Sequence, residues 1–167
     1  MSGVSYRVDT SELERLADDL VERISRPAPA LRAVADLAEQ TIQRNFTAGG
    51  RPTRWAPLKL RDGQPLRDTG RLMNSISAQP VGDRTVLVGT NVVYAAVHNF
   101  GAKKGAFGTV ACQVKAHKRG SSTVRAHTRN AKIPWGDIPQ REFMVIPDEE
   151  IEDIQDLLQN WIVEGKL

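Results

Sequence analysis

With a single cysteine, Cys112, in 167 residues, the chain cannot close an internal disulfide, so packing must hold the fold together and a reducing compartment is expected. Also missing is any stretch approaching the roughly 18 apolar residues that a membrane helix needs. The opening MSGVSYRVDTSELERL has no apolar core behind a basic start, so no secretory leader is expected, and the chain should be made and kept in a cytoplasm. Aromatic residues make up only 5% of the chain, which leaves most of the core to aliphatic side chains. Catalytic signatures are lacking too. No G-x-S-x-G turn occurs, no C-x-x-C pair is present for zinc, and GAKKGAFGT at 101–109 has Ala106 and Phe107 where a phosphate loop needs Gly-Lys.

What the chain does carry is charge of one sign in blocks. Residues 101–132 hold Lys103, Lys104, Lys115, Lys118, Arg119, Arg125, Arg129 and Lys132 with no acid, a local net of +8 within a chain whose total is only +3. Residues 147–167 hold Asp148, Glu149, Glu150, Glu152, Asp153, Asp156 and Glu164 against Lys166, a local net of −6. Opposite surfaces on one small chain can attract each other between subunits, and the basic one can also attract phosphate.

The length suits one domain over 1–167, and the hydrophobic pattern predicts helices, a small antiparallel meander, a projecting basic hairpin and a C-terminal helix. Ser11 and Glu14 have capping-box spacing, and Leu13, Leu16, Ala17, Leu20 and Ile24 form a stripe that predicts a half-buried first helix. A second helix starts near Pro29, buries Leu31, Val34, Ala35, Ala38, Ile42 and Phe46, and stops at AGG. An ordered loop pinned by Trp55 follows, then a short turn at DTGRLMNSI in which Asp68 or Thr69 caps and Leu72 meets Ile76. Next, SISAQPV, RTVLVGT and NVVYAAVHNF read as a three-stranded meander. The near repeat VKAH and VRAH flanks KRGSS and predicts a hairpin arm over about 103–133. Pro134, Pro139 and Pro147 predict an extended entry, with Trp135 as a packing anchor, into a helix from Asp148 that aligns Ile151, Ile154, Leu158 and Trp161.

Cys112, His117 and His127 share the basic segment, but Cys112 and His117 are an odd number apart in an extended arm and would face opposite sides, so a zinc site is not expected. The carboxylates of DEEIEDIQD fit a solvated helix face better than acid-base chemistry. For the arm, subunit contact with an acidic helix is the first reading, and contact with duplex phosphates is the alternative; no aromatic lies between Phe107 and Trp135 to stack single-stranded bases.

FTAGGRPTRWAPLK, LRDTGRLMNSI, YAAVHNFGA and IPWGDIPQREFM, in that order, resemble the phage virion morphogenesis or tail-completion proteins of Mu-like and related contractile-tailed phages, over roughly Leu31 to Ile162. The resemblance carries Trp55 of the first stretch, Tyr94, His98, Phe100 and Gly101 of one motif and Pro139, Arg141 and Phe143 of a later one, with Glu142 departing from the proline or other neutral residue that the pattern suggests. It implies an α+β fold, with long helices packed on a small antiparallel sheet, and a cofactor-free, non-enzymatic protein that completes or caps the tail and prepares it for head joining. The implied partners are other copies in a ring, a hexamer by the family's pattern, with the tail tube and head connector; the implied place is the virion, after assembly in the host bacterial cytoplasm. In a strand from Val92 to Phe100, His98 would share a face with Tyr94, Ala96 and Phe100 and serve packing and hydrogen bonding, while Gly101 permits the turn away. The candidate interface residues are the eight cations of 101–132 and the acids Glu149, Glu150, Glu152, Asp153 and Asp156.

Overall fold

A computed structural model describes residues 6–59, 62–132 and 137–167, except for the side chain of Lys132. Pro134 and Trp135 lie outside the described residues. The chain order is α1 (Ser11–Ser25), α2 (Ala28–Ala48), α3 (Arg71–Asn74), β1 (Ile76–Val81), β2 (Thr85–Thr90), α4 (Ala95–Phe100), β3 (Thr109–Val114), β4 (His117–Arg119), β5 (Ser122–Val124), β6 (His127–Lys132) and α5 (Asp148–Glu164). The class is α+β, as the resemblance implies.

The core forms where α2 lies on the β1–β2 hairpin. Ile42 and Phe46, four apart on α2, meet Trp55 from the loop, Leu72 from α3, Ile76 from β1, Val92 and Ala95 around α4, and Phe143. Phe46 stands edge-on to Trp55 with ring centroids 5.6 Å apart and tilts against Phe143 at 5.1 Å, so three of the few aromatics are spent here. Trp55 completes its contacts by donating its indole N–H to the Glu142 carbonyl at 3.0 Å. Because Glu142 contributes its backbone while its side chain stays exposed, an acid at this position costs the core nothing.

Two buried asparagines stitch the irregular segment 141–147 to the helices. Asn45 of α2 donates to the carbonyls of Phe143 at 3.0 Å and Val145 at 2.8 Å, and Asn99 of α4 accepts from the N–H groups of Phe143 and Met144, both at 3.1 Å. Backbone that has no ladder of its own is thereby satisfied by side chains. Gly101 ends α4 at φ 71°, and a Cβ there would sit 2.9 Å from the Gln140 nitrogen and the Ile138 carbonyl oxygen. Only glycine allows the two segments to approach this closely.

Expectations are corrected for three segments, the 92–100 run, α1 and α5. The run Val92–Phe100 is not a third strand: α4 occupies Ala95–Phe100, and the β1–β2 sheet has two strands. Alternation and helical spacing compete in this run, and the helix prevails because it turns Ala95 and Asn99, four apart, into the interior together. Phe100 is in consequence 72% exposed rather than packed. The first helix is not half-buried either, since α1 has no buried residue and Leu13 is 67% exposed. Its start also differs: Thr10 is the N-cap and donates to Glu14, while the Ser11 N–H is accepted by Asp9. On α5, Ile154, Leu158 and Trp161 are half-buried but Ile151 is exposed.

Candidate interaction surfaces

The basic arm is a two-stranded ribbon. β3 pairs with β6 and β4 with β5, in registers that place Cys112 opposite Arg129 and Val114 opposite His127. Neither pair extends into the β1–β2 sheet, so the ribbon projects from the core as the sequence predicts. The repeated V-K/R-A-H gives both arms the same device. Strand pairing is interrupted at 115–116 and 125–126, and each following histidine turns its Nδ1 onto the carbonyl two residues earlier, Lys115 at 3.0 Å and Arg125 at 2.9 Å. No group of three His, Cys, Asp or Glu side chains with metal-site spacing occurs among the described residues. Lys103, Lys104, Lys115, Lys118, Arg119, Arg125 and Arg129 are all exposed, and none has an ion-pair partner among the described residues.

The acidic surface on α5 is smaller than the sequence suggests. Glu150 is 2% exposed and pairs with Arg51, so it belongs to the interior and is corrected as an interface candidate. The reason is Arg51, which reaches from the loop after α2 to the Asn45 side chain at 3.1 Å and the Thr41 carbonyl at 3.3 Å. It also meets Glu149 at 3.4 Å, which remains mostly exposed. Glu152, Asp153 and Asp156 are exposed and unpaired among the described residues. A polar residue at the core-facing position 45, between Ile42 and Phe46, is the signal in the sequence that a buried network had to be satisfied here.

Three of the motif residues, Tyr94, His98 and Arg141, line a cleft of about 350 Å³ together with Leu58, Leu66 and Leu72. The four-residue spacing of Tyr94 and His98 stacks their rings edge to face on α4, with centroids 5.7 Å apart. The Arg141 N–H donates to the His98 carbonyl at 2.8 Å, which brings the two motifs together. Arg141, 6% exposed, then donates Nε–H to the Ala56 carbonyl at 3.1 Å and Nη2–H to that of Pro57 at 3.4 Å. Burial, then the nearby Arg141 charge, holds the His98 imidazole below its ordinary pKa, and burial lowers that of Arg141. His98 Nδ1 is buried with no hydrogen-bond partner. Asp68 and Arg71 also line the cleft, a juxtaposition of His98 with a carboxylate that a strand reading of 92–100 does not anticipate. Pro139 is half-buried beside this segment, and Trp55 and Phe143 are buried beneath it.

A further surface was read in the sequence as core. Leu13, Leu16, Val21 and Ile24 leave an exposed apolar stripe on α1. The helix is held near its end, where Arg23 donates to the last-turn carbonyls of α5 at Ile162, 2.9 Å, and Val163, 2.8 Å. A cation suits the negative end of the α5 dipole.

Comparison with known proteins gives two matches of near full length. The model of the phage virion morphogenesis family matches residues 8–163. The chain is 38% identical over 154 residues to the Mu-like prophage FluMu G protein 2 of Haemophilus influenzae, covering 90% of this chain and 88% of that one. No solved structure matches it.

Proposed function

The chain belongs to the phage virion morphogenesis family, and from that premise we propose that it is a non-enzymatic assembly protein that completes or caps the tail and prepares it for head joining as a homo-oligomeric ring. The observation that carries this reading is the ribbon and the turn that leads into it: seven exposed cations, five of them on the ribbon, with no ion-pair partner among the described residues. Self-repulsion within such an arm is relieved when it meets an acidic surface, and Glu152, Asp153 and Asp156 on a neighbouring copy supply one. The core, stitched by Asn45, Asn99 and Arg51, gives the ribbon and α5 a rigid base. In this account Tyr94, His98, Phe100, Gly101, Pro139, Arg141 and Phe143 shape the subunit body and its rim. The tail tube and head connector are the proposed further partners, and the neck or tail of the virion the proposed location.

The same exposed cations favour a second reading, contact with duplex phosphates. It requires affinity for duplex DNA that falls steeply with salt and weakens when Lys118, Arg119, Arg125 and Arg129 are neutralised together. Electron microscopy of particles made without the protein tests the first reading. Tails of abnormal length or tails unjoined to heads are expected, restored by the wild-type chain. Normal, joined particles in its absence contradict the assembly role.

A further inference from the structure

The cleft between α4, α3 and the 137–147 segment contains unmet polar capacity that packing alone does not explain. A guanidinium has five N–H groups. Arg141 uses one at Nε and one at Nη2, both on neutral carbonyls, and no carboxylate among the described residues pairs with it. A cation so nearly enclosed is costly unless a counter-charge arrives. His98 Nδ1, on the same wall, is also buried without a partner.

One ligand chemistry meets both needs. A carboxylate can take the end of the guanidinium with one oxygen and an imidazole N–H with the other. Two arginines, Arg71 and Arg141, line the cleft with the neutral His98, so it favours an anionic ligand. Leu58, Leu66 and Leu72 add an apolar wall that suits the residue beside an acidic side chain better than it suits a bare phosphate. We propose that this cleft is a docking site for an acidic peptide segment of a partner protein, taking one Asp or Glu carboxylate against Arg141 and His98 with a neighbouring apolar side chain against the leucines. The site is distinct from the charged ribbon and does not require the ring.

The test is an NMR titration of the full chain, following the ring resonances of Tyr94 and His98, with N-acetyl-Leu-Asp amide, its Leu-Asn analogue and inorganic phosphate as probes. Saturable shifts with the aspartate peptide alone are expected. The His98 pKa should also rise on binding, because the carboxylate offsets Arg141 among the groups that face the ring, Asp68, Arg71, Tyr94 and Arg141. His98→Phe keeps an aromatic ring against Tyr94 but removes the nitrogen, and should weaken binding by about tenfold, the loss expected for one charge-assisted hydrogen bond. Arg141→Gln should abolish it. Since Arg141 also holds the Ala56 and Pro57 carbonyls, His98→Phe decides the matter if that variant does not fold. Equal binding of the asparagine peptide or of phosphate, undiminished binding by His98→Phe, or no saturable shift would each overturn the proposal. The titration reads a single subunit, so a chain that forms no ring can still pass it and a ring-forming chain can still fail it.

Discussion

Arg51 holds Asn45, the Thr41 carbonyl, Glu149 and the enclosed Glu150 from one position, so the join between α2, its following loop and α5 depends on one side chain. Removing it leaves the Glu150 carboxylate buried without its counter-charge. Arg51→Ala should therefore destabilise the fold by about 3–5 kcal/mol, read from the urea midpoint and slope. His98 makes a pH-dependent contribution of the opposite kind. Its folded-state pKa lies below the ordinary 6.5, so as pH falls the unfolded chain takes up this proton first. Stability should drop as pH falls from about 7.5 to about 5.5, and His98→Gln should make that drop smaller, measured as urea midpoints at the two values. At this scale the sequence revealed Trp55, Ile42, Phe46, Leu72 and Ile76 as core, because apolar residues at helical spacing or in fixed loops have few other uses, while Phe143 stood out only as a motif residue. The partners of Arg51 and Arg141 were not legible, since both ligand sets join segments distant in the chain and local spacing carries no trace of them.

Among the elements, α2, the β1–β2 hairpin, the ribbon and α5 follow from periodicity, turn residues and acids in a first turn. Two elements do not. In 92–100 the pattern fits periods of both two and four, and the choice is made by Asn99, whose buried oxygen accepts two N–H groups from the 143–144 backbone. The α1 stripe has the pattern of a packed helix but lies open, because periodicity shows that a face is apolar without showing what covers it. Leu13→Ala with Leu16→Ala should therefore change the unfolding free energy of the isolated chain by no more than about 0.5 kcal/mol, against roughly 3–5 kcal/mol for Phe46→Ala in the core. Parallel urea titrations of the two variants make the comparison, and a large loss from the α1 variant would show that the helix is packed after all.

For the molecule as a whole, the separation of charge is the property that composition made plainest and the structure makes specific. The ribbon keeps its cations off the core and unpaired among the described residues, while Glu152, Asp153 and Asp156 stay exposed on α5; of the five candidate acids only Glu150 moves from surface to interior. Attraction between exposed charges of this kind is screened within about 8 Å at physiological ionic strength, so an assembly built on it must loosen in salt. The most direct measurement is the mass of the purified chain by light scattering across protein concentration and ionic strength, beside a variant with Lys118, Arg119, Arg125 and Arg129 neutralised. The wild-type chain should form a closed oligomer that dissociates as salt rises, and the variant should stay folded but remain smaller at every concentration. A wild-type chain that is monomeric at all concentrations and all salt levels would contradict it.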